Sequence, residues 1–243
     1  MSTFKLTYKP FGESAILIEW PQNISIDILD DIRNFSFKIN NQNIKYILEV
    51  NSVYSSLLVI YNYNKINYIN LKKELQFLYN QRLASKNNLK TTIWEIPVCY
   101  DIEFGIDLPF LSLQKKISIE EIISTHSSSL YTVFGIGFLP GFLYLGGLSK
   151  KLHFKRRDIP RLEVPKGAIA IGGKQTGIYP KISPGGWHII GKTPISIFEI
   201  NREKPCLVIP GDKVKFNPIS KGEFKSIKLE IEAGIYKLKS VAK

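Results

Sequence analysis

Cysteine is scarce. The 243-residue chain holds two, Cys99 and Cys206, too few for a disulfide framework. Each lies in an apolar, strand-like run, Pro97-Val98-Cys99-Tyr100 and Pro205-Cys206-Leu207-Val208. Both are therefore expected to be buried, reduced thiols. Long hydrophobic runs are missing too. The longest, Ile136 to Leu148, is broken by Gly and Pro and falls short of the ~20 residues a membrane-spanning helix needs. The first residues, Ser2-Thr3-Phe4-Lys5-Leu6-Thr7, alternate at once, unlike a signal peptide. A soluble cytoplasmic protein without a membrane partner is expected. Repeats and low-complexity tracts are absent. Hydrophobic residues make up 44% and aromatics 12%, which excludes a disordered chain.

Several chemical signatures fail as well. Gly135-x-Gly137 is followed by three residues before Gly141 and follows no βαβ pattern, so it is no dinucleotide fingerprint. There is no phosphate-binding P-loop and no G-x-S-x-G nucleophile elbow. His126, His153 and His188 lack metal-ligand spacing, so no metal is expected. Acids are outnumbered: 33 Lys and Arg against 21 Asp and Glu give +12. The surplus is mostly lysine spread over both halves, not the clustered footprint of a nucleic-acid binder. No nucleic-acid partner is expected.

Glycine and proline are unevenly distributed. Twelve of the 17 glycines fall between Gly135 and Gly191, and only Pro10 and Pro21 precede Pro97. The compositional border is the polar run Ala84–Leu89, which divides the chain into domains 1–86 and 87–243. The first part reads as ββαββα. Phe4–Tyr8 alternates, and Ala15–Ile18 follows the turn at Gly12. Ile28, Leu29, Ile32, Phe35 and Ile39 recur at helical spacing. Ile44–Val50 and Leu57–Tyr61 flank a turn at Asn51-Ser52. Asn70 caps a helix carrying Leu71, Leu75, Leu78 and Tyr79. Such a pattern makes a small antiparallel sheet with helices on one side.

The second part reads as mostly β. Ile93–Val98 is a strand, and Ser118-Ile-Glu-Glu121 is a capping box opening a helix that ends near His126. Short strands follow at Tyr131–Phe138, Ala168–Ile171, Ile189–Ile190, Ile195–Ile200, Leu207–Ile209, Val214–Phe216 and Ile227–Ile231. Turn residues separate them, as in a barrel or sandwich. The fold class is thus α+β.

The chemistry concentrates between Gly135 and Gly191. Three Gly/Pro loops occur there: Gly137–Tyr144, Gly172–Pro180 and Ser183–His188. Between the first two lie Arg156, Arg157 and Arg161, with Lys166 close behind. Arginine forks suit carboxylate and phosphate, and glycines let backbone N–H groups approach an anion. Gln175, Thr176 and Tyr179 add neutral donors and acceptors. Together these suit a small anionic ligand carrying an amide-like group. Phe138, Phe142, Tyr144 and Leu145 form an apolar loop suited to a protein partner.

These stretches resemble one family. Its pattern is Gly137-Phe-Leu-Pro-Gly-Phe-Leu-Tyr-Leu-Gly146, Arg156-Arg157 with Pro160-Arg161, Val164-Pro165, Ile171-Gly-Gly-x-Gln175-Thr-Gly-Ile-Tyr-Pro180, Pro184-Gly-Gly-Trp187 and Pro210-Gly-Asp212-x-Val214-x-Phe216. Gly12-Glu-Ser-Ala15 and His126-Ser127 fit too. The chain is similar to the B-type subunits of 5-oxoprolinase, the kinase inhibitor KipI and allophanate hydrolase subunit 1. Leu143, Lys155 and Ala168 depart from the usual Pro, Pro and Ser. The resemblance implies a cyclophilin-like β-barrel after the N-terminal domain. It also implies ATP-dependent opening of 5-oxoproline to glutamate, with ATP mainly on or with a partner, and with the A-type and C-type subunits of 5-oxoprolinase as partners. Alternatives are a KipI-like inhibitor of a sporulation histidine kinase, or a urea/allophanate-directed amidolyase or carboxyltransferase component. In the enzyme reading His126, Gln175 and Tyr179 are the expected catalytic residues. Arg156, Arg157, Arg161, Lys166, Thr176, Gly173, Gly185 and Trp187 are expected to bind substrate.

Overall fold

The computed structural model describes residues 4–81 and 90–242. Its backbone divides into two compact units, Met1–Lys90 and Thr91–Lys243. The polar run at which the sequence places the border lies outside the described residues.

The first unit runs β1 (Thr7–Pro10), β2 (Ala15–Glu19), α1 (Ile26–Asn41), β3 (Ile47–Val53), β4 (Ser56–Tyr61) and α2 (Tyr68–Asn80). The strands pair antiparallel in the order β1-β2-β4-β3. Helix α1 buries Ile28, Leu29, Ile32, Phe35 and Ile39, the stripe expected from the 3.6-residue period. Helix α2 adds Leu71, Leu75 and Leu78. These meet Ile16, Ile18, Leu57 and Val59 of the sheet. Two local readings shift. The β3–β4 turn sits at Tyr54-Ser55, with Tyr54 at φ 54°, beyond the polar pair Asn51-Ser52. The α2 cap is Asn67, whose side chain accepts the Asn70 N–H at 2.9 Å. Asn70 is the capped residue, not the cap.

The second unit contains β5 (Thr92–Cys99), α3 (Leu108–Lys115), α4 (Ile119–Ser128), β6 (Leu130–Ile136), β7 (Leu143–Gly146), β8 (Arg161–Val164), β9 (Ala168–Gly172), β10 (Gln175–Ile178), β11 (Ser183–Gly185), β12 (His188–Lys192), β13 (Lys213–Ile219), α5 (Lys221–Glu232) and β14 (Ser240–Ala242). Seven strands run β6-β13-β5-β12-β9-β10-β7, and β7 pairs back onto β6 to close a barrel. All of these contacts are antiparallel except β5–β13. The interior is filled by Ile96, Val98, Val133, Leu143, Leu145, Ile169, Ile171, Ile190, Val214 and Phe216. Burying each such side chain contributes about 1.5–3 kcal/mol. Asp212, 2% exposed, fastens β5 to the loop before β13. Its carboxylate accepts the backbone N–H groups of Thr92 at 2.9 Å and Ile209 at 3.1 Å, and the Trp94 indole N–H at 2.9 Å.

β9 is buried on both faces. Ile169 and Ile171 point into the barrel, while Ala168 and Ala170 meet an outer cluster of Phe142, Val164, Tyr179, Trp187 and Ile189. The β8–β11 pair is a separate two-stranded ribbon.

Several expected strands are corrected. Ile227–Ile231 belongs to α5, not to a strand. Its start is a complete capping box: Ser220 accepts from Glu223 N–H, and Glu223 accepts from Ser220 N–H. Phe224, Ile227 and Ile231 then share a face at helical spacing. Ile195–Ile200 and Leu207–Ile209 form no strands; a single bridge links Phe198 and Cys206. At Ser118 the box is half made. Ser118 caps Glu121 N–H at 3.1 Å, while the Glu121 carboxylate pairs with Lys151. Both cysteines are free, but only Cys99 is buried; Cys206 is half-buried. Burial pushes both thiols up from their ordinary pKa.

Candidate functional site

The outer face of the barrel is built by glycine. On β10, Thr176 and Ile178 turn inward, leaving Gln175 and Gly177 outward. Gly177 lies opposite Tyr144 of β7 and Ala170 of β9, and Gln175 opposite Gly172. A Cβ at Gly172 would lie 2.6 Å from the Trp187 ring; one at Gly177 would lie 3.0 Å from it and 2.8 Å from the Leu143 carbonyl oxygen. The two glycines let the indole lie against the sheet. Trp187 is 4% exposed and meets Phe142 edge-on at 5.5 Å and Tyr144 at 6.2 Å. Gly172→Ala is expected to lift the indole. The measurable results are a weaker near-UV signal and a fall in stability of ~1–3 kcal/mol, the usual cost of overpacking.

Above this floor the Arg156 guanidinium lies 5.7 Å from the Trp187 ring centre. Arg156 is exposed, and among the described residues it forms no ion pair. Tyr144, half-buried beside it, has its hydroxyl pushed up by burial, which Arg156 opposes. Tyr179 is 2% exposed. Burial raises its pKa, while the Trp187 backbone N–H donates to its oxygen and Arg156 and Arg161 favour the phenolate. A side chain at Gly185 would overlap the Tyr179 hydroxyl. Gly185 is therefore a close-approach residue, and Tyr179 a wall of the site rather than an exposed reagent.

The other two arginines converge elsewhere. Arg161 forms a two-pronged bridge to Asp107, Nη1 to Oδ2 at 2.9 Å and Nη2 to Oδ1 at 2.7 Å. Arg157 Nη1 lies 3.6 Å from Asp107 Oδ1. Asp107 is 4% exposed and also accepts the Ile189 N–H at 2.7 Å. The expected set of three anion-binding arginines is thus corrected. Arg161 is neutralised by a buried carboxylate that the sequence reading missed, Arg157 is shared with it, and Arg156 faces solvent. Asp107 stands 54 residues before Arg161, and nothing local marks it.

His126 is enclosed in the barrel, 0% exposed. Its Nδ1 lies 2.7 Å from the Tyr100 hydroxyl and its Nε2 2.9 Å from Thr176 Oγ1. Thr176 donates its own hydrogen to the Ala170 carbonyl at 3.0 Å. It must therefore accept from Nε2–H, which leaves Nδ1 to accept from Tyr100. The ring stacks on Phe216 at 4.8 Å. Burial lowers its pKa to about 3. Proton transfer to a bound substrate is not open to this ring, and Thr176 has both its hydrogen-bonding roles filled inside the core. Both expected roles are corrected to core roles.

The buried imidazole makes stability depend on pH. The unfolded ring takes a proton near its ordinary 6.5, the folded ring only near 3. The stabilising contribution is complete above pH 6.5 and lost as pH falls toward 3, at about 1.4 kcal/mol per pH unit. Tm measured between pH 7 and pH 4.5 should fall less steeply in His126→Gln than in the parent; equal slopes would refute the assignment.

Of the remaining residues, Lys166 is exposed and pairs with Glu199 at 3.4 Å. Gly173, at φ 64°, forms the β9–β10 turn and exchanges backbone hydrogen bonds with Phe154. The turn joins two strands and opens no helix, so it is no P-loop. A hollow of about 300 Å3 opens in the first unit beside Tyr46, Glu74 and Phe77 and contains none of the expected site residues. Of the expected apolar loop, Phe142 and Leu145 are buried, Tyr144 is half-buried, and Phe138 is 60% exposed.

Residues 6–208 match the family described as carboxyltransferase domain, subdomain C and D. The chain belongs to that family. It is 33% identical over 238 residues to the B subunit of 5-oxoprolinase from Bacillus subtilis, covering 94% of this chain and 99% of the relative. Among solved structures, the protein TTHA0988 is 30% identical with a TM-score of 0.74. The match covers 85% of this chain but 40% of that longer one. The Kluyveromyces lactis urea amidolyase is 22% identical with a TM-score of 0.83, covering 99% of this chain and 16% of that protein; this likeness is one of fold. The fold is α+β with a closed barrel, as expected. Among the described residues no helix is long and apolar enough to cross a membrane.

Proposed function

We propose that the protein is one component of an ATP-dependent 5-oxoprolinase, opening 5-oxo-L-proline to L-glutamate together with the A-type and C-type subunits of that enzyme. The observation that carries this reading is the Arg156 guanidinium, exposed over the Trp187 floor and without an ion pair among the described residues, in a chain similar to the B. subtilis 5-oxoprolinase B subunit along nearly its whole length. 5-Oxoproline is a five-membered lactam bearing one carboxylate. A planar guanidinium on a rigid aromatic support suits that anion.

Arg156 holds the carboxylate or the developing phosphoryl charge, and Arg157, half-shared with Asp107, adds to the positive field. Gln175, on the same face of β10, orients the ring amide. Tyr179, Trp187, Gly173 and Gly185 shape the wall and floor. Bound on or with a partner, ATP would pass its terminal phosphoryl group to the amide oxygen and leave as ADP. Water would then add to the activated carbonyl carbon, and the ring C–N bond would break as the nitrogen takes a proton. A second water would release phosphate from the resulting acyl phosphate to leave glutamate.

The test is reconstitution. The purified chain alone is expected to form neither ADP nor glutamate from ATP and 5-oxoproline. Adding both partner types should restore formation of the two products in step. Full turnover by the single chain, or no 5-oxoproline-dependent ATP hydrolysis by the complete mixture, would overturn the proposal.

A further inference from the structure

The cations of this chain, expected to be spread over both halves, are in fact concentrated in one segment. From Lys150 to Lys192 there are ten lysines and arginines against two acids, Asp158 and Glu163. This net +8 is two-thirds of the whole chain's +12. The same segment forms the β8–β11 ribbon and the strands β9, β10 and β12. Among the described residues Arg156, Lys174 and Lys181 form no ion pair.

The apolar side chains of this region are also unusually bare. Leu162 on β8 is 86% exposed, Ile159 just before it 80%, and Ile182 just before β11 63%. The register places them along one ribbon: Ser183 lies opposite Val164, and Gly185 opposite Arg161. Phe138 is joined to β8 through the outer cluster, in which Phe142 and Val164 both lie. It touches Phe142 edge-on at 5.5 Å, and Phe142 touches Trp187. Its backbone stands at φ 63°, a left-handed conformation that costs a bulky residue energy and persists only where the surroundings enforce it. Gly137 N–H to Phe142 O, and Phe142 N–H to Leu139 O, brace the turn from both sides. The result is an aromatic ring held out into solvent.

β8 is held on the body of the unit through Val164 and Arg161, yet Leu162 between them stays bare. Exposed apolar residues ringed by charge mark a protein interface, with an aromatic anchor near its centre and a polar rim. We infer that Phe138, Ile159, Leu162 and Ile182, rimmed by Lys155, Arg156, Lys174 and Lys181, form the surface on which an acidic protein partner docks, with Phe138 as its anchor. Charge complementarity selects an acidic protein, and the apolar centre selects against a nucleic acid backbone. The inference rests on the 5-oxoprolinase reading above and identifies the docking face of this component. It would also place Arg156 at the seam, where a docked partner excludes water from it.

The test measures binding of the full chain to the purified C-type partner, with 5-oxoproline-dependent ATP hydrolysis of the complete mixture as a second readout. Leu162→Asp and Phe138→Ala should each weaken binding at least tenfold. Lys174→Glu combined with Lys181→Glu should do the same and remove most of the salt dependence of the association rate. Unchanged melting temperatures would show that the variants fold. Parent-like binding and turnover by all three variants would overturn this surface while leaving the 5-oxoprolinase reading intact. No binding by the parent chain would overturn both. Self-association of the parent abolished by Leu162→Asp, or a short DNA duplex bound as tightly as the partner, would overturn it in favour of a second copy or a nucleic acid.

Discussion

Arg156→Ala should lower kcat/KM of the reconstituted 5-oxoprolinase by about 100- to 1,000-fold, about 3–4 kcal/mol of lost transition-state stabilisation. The fold should hardly notice. An exposed cation over an aromatic ring contributes about 0.5–1 kcal/mol, so Tm should fall by no more than ~4 °C. Arg156→Lys separates charge from shape. It keeps a cation above Trp187 but loses the planar fork, so an intermediate rate is expected if the fork matters. Steady-state assays of glutamate formation, with thermal melts of the same samples, give both readouts. Parent-like turnover by Arg156→Ala would remove this residue from the site.

Asp107→Ala should produce the opposite pattern, a damaged fold first. The carboxylate is 4% exposed and accepts from Arg161 twice and from Ile189 N–H once. Removing it leaves a guanidinium without its counter-charge and a buried N–H without an acceptor. Breaking a buried pair costs about 3–5 kcal/mol. Arg161 keeps 22% of its side-chain surface in water, so the lower end applies, a drop in Tm of roughly 6–12 °C. Asp107→Asn should recover only part of the loss, because one amide oxygen cannot serve both prongs of the fork. Arg161→Ala should be nearly as severe, and the double variant less than additive. If melting of Asp107→Ala matches the parent, the bridge is not what holds the ribbon to α3 and β12.

Periodicity carried much of the architecture into the sequence. The α1 stripe is legible because five apolar residues recur on one helical face and each ends up buried. The barrel strands β9 and β12 are legible as short apolar runs between glycine turns. Helix α5 is not, because Ile227, Leu229 and Ile231 alternate with polar residues as a strand would, and the decisive signal was the Ser220–Glu223 cap outside that window. Among the site residues, Arg156 and the glycine loops could be picked out by composition. Asp107 could not, since its meaning comes from partners 54 and 82 residues away. His126 misled for a related reason. Residue type suggests an acid–base group near neutrality, but burial decides which protonation state survives, and burial at one position is a property of the whole barrel.

The parallel pairing of β5 with β13 sets the timetable of biosynthesis. β5 is hydrogen-bonded along its length by a strand made much later, and the Asp212 carboxylate that anchors its first residue is synthesised 120 residues after it. At about 5–20 residues per second a ribosome needs roughly 6–24 s to cover that distance. Throughout it Ile96 and Val98 have no barrel to enter. The first unit has all four of its strands and both helices by then and can fold on its own schedule. The nascent barrel instead stays open for that interval, and its yield should depend on elongation rate and growth temperature far more than the first unit's.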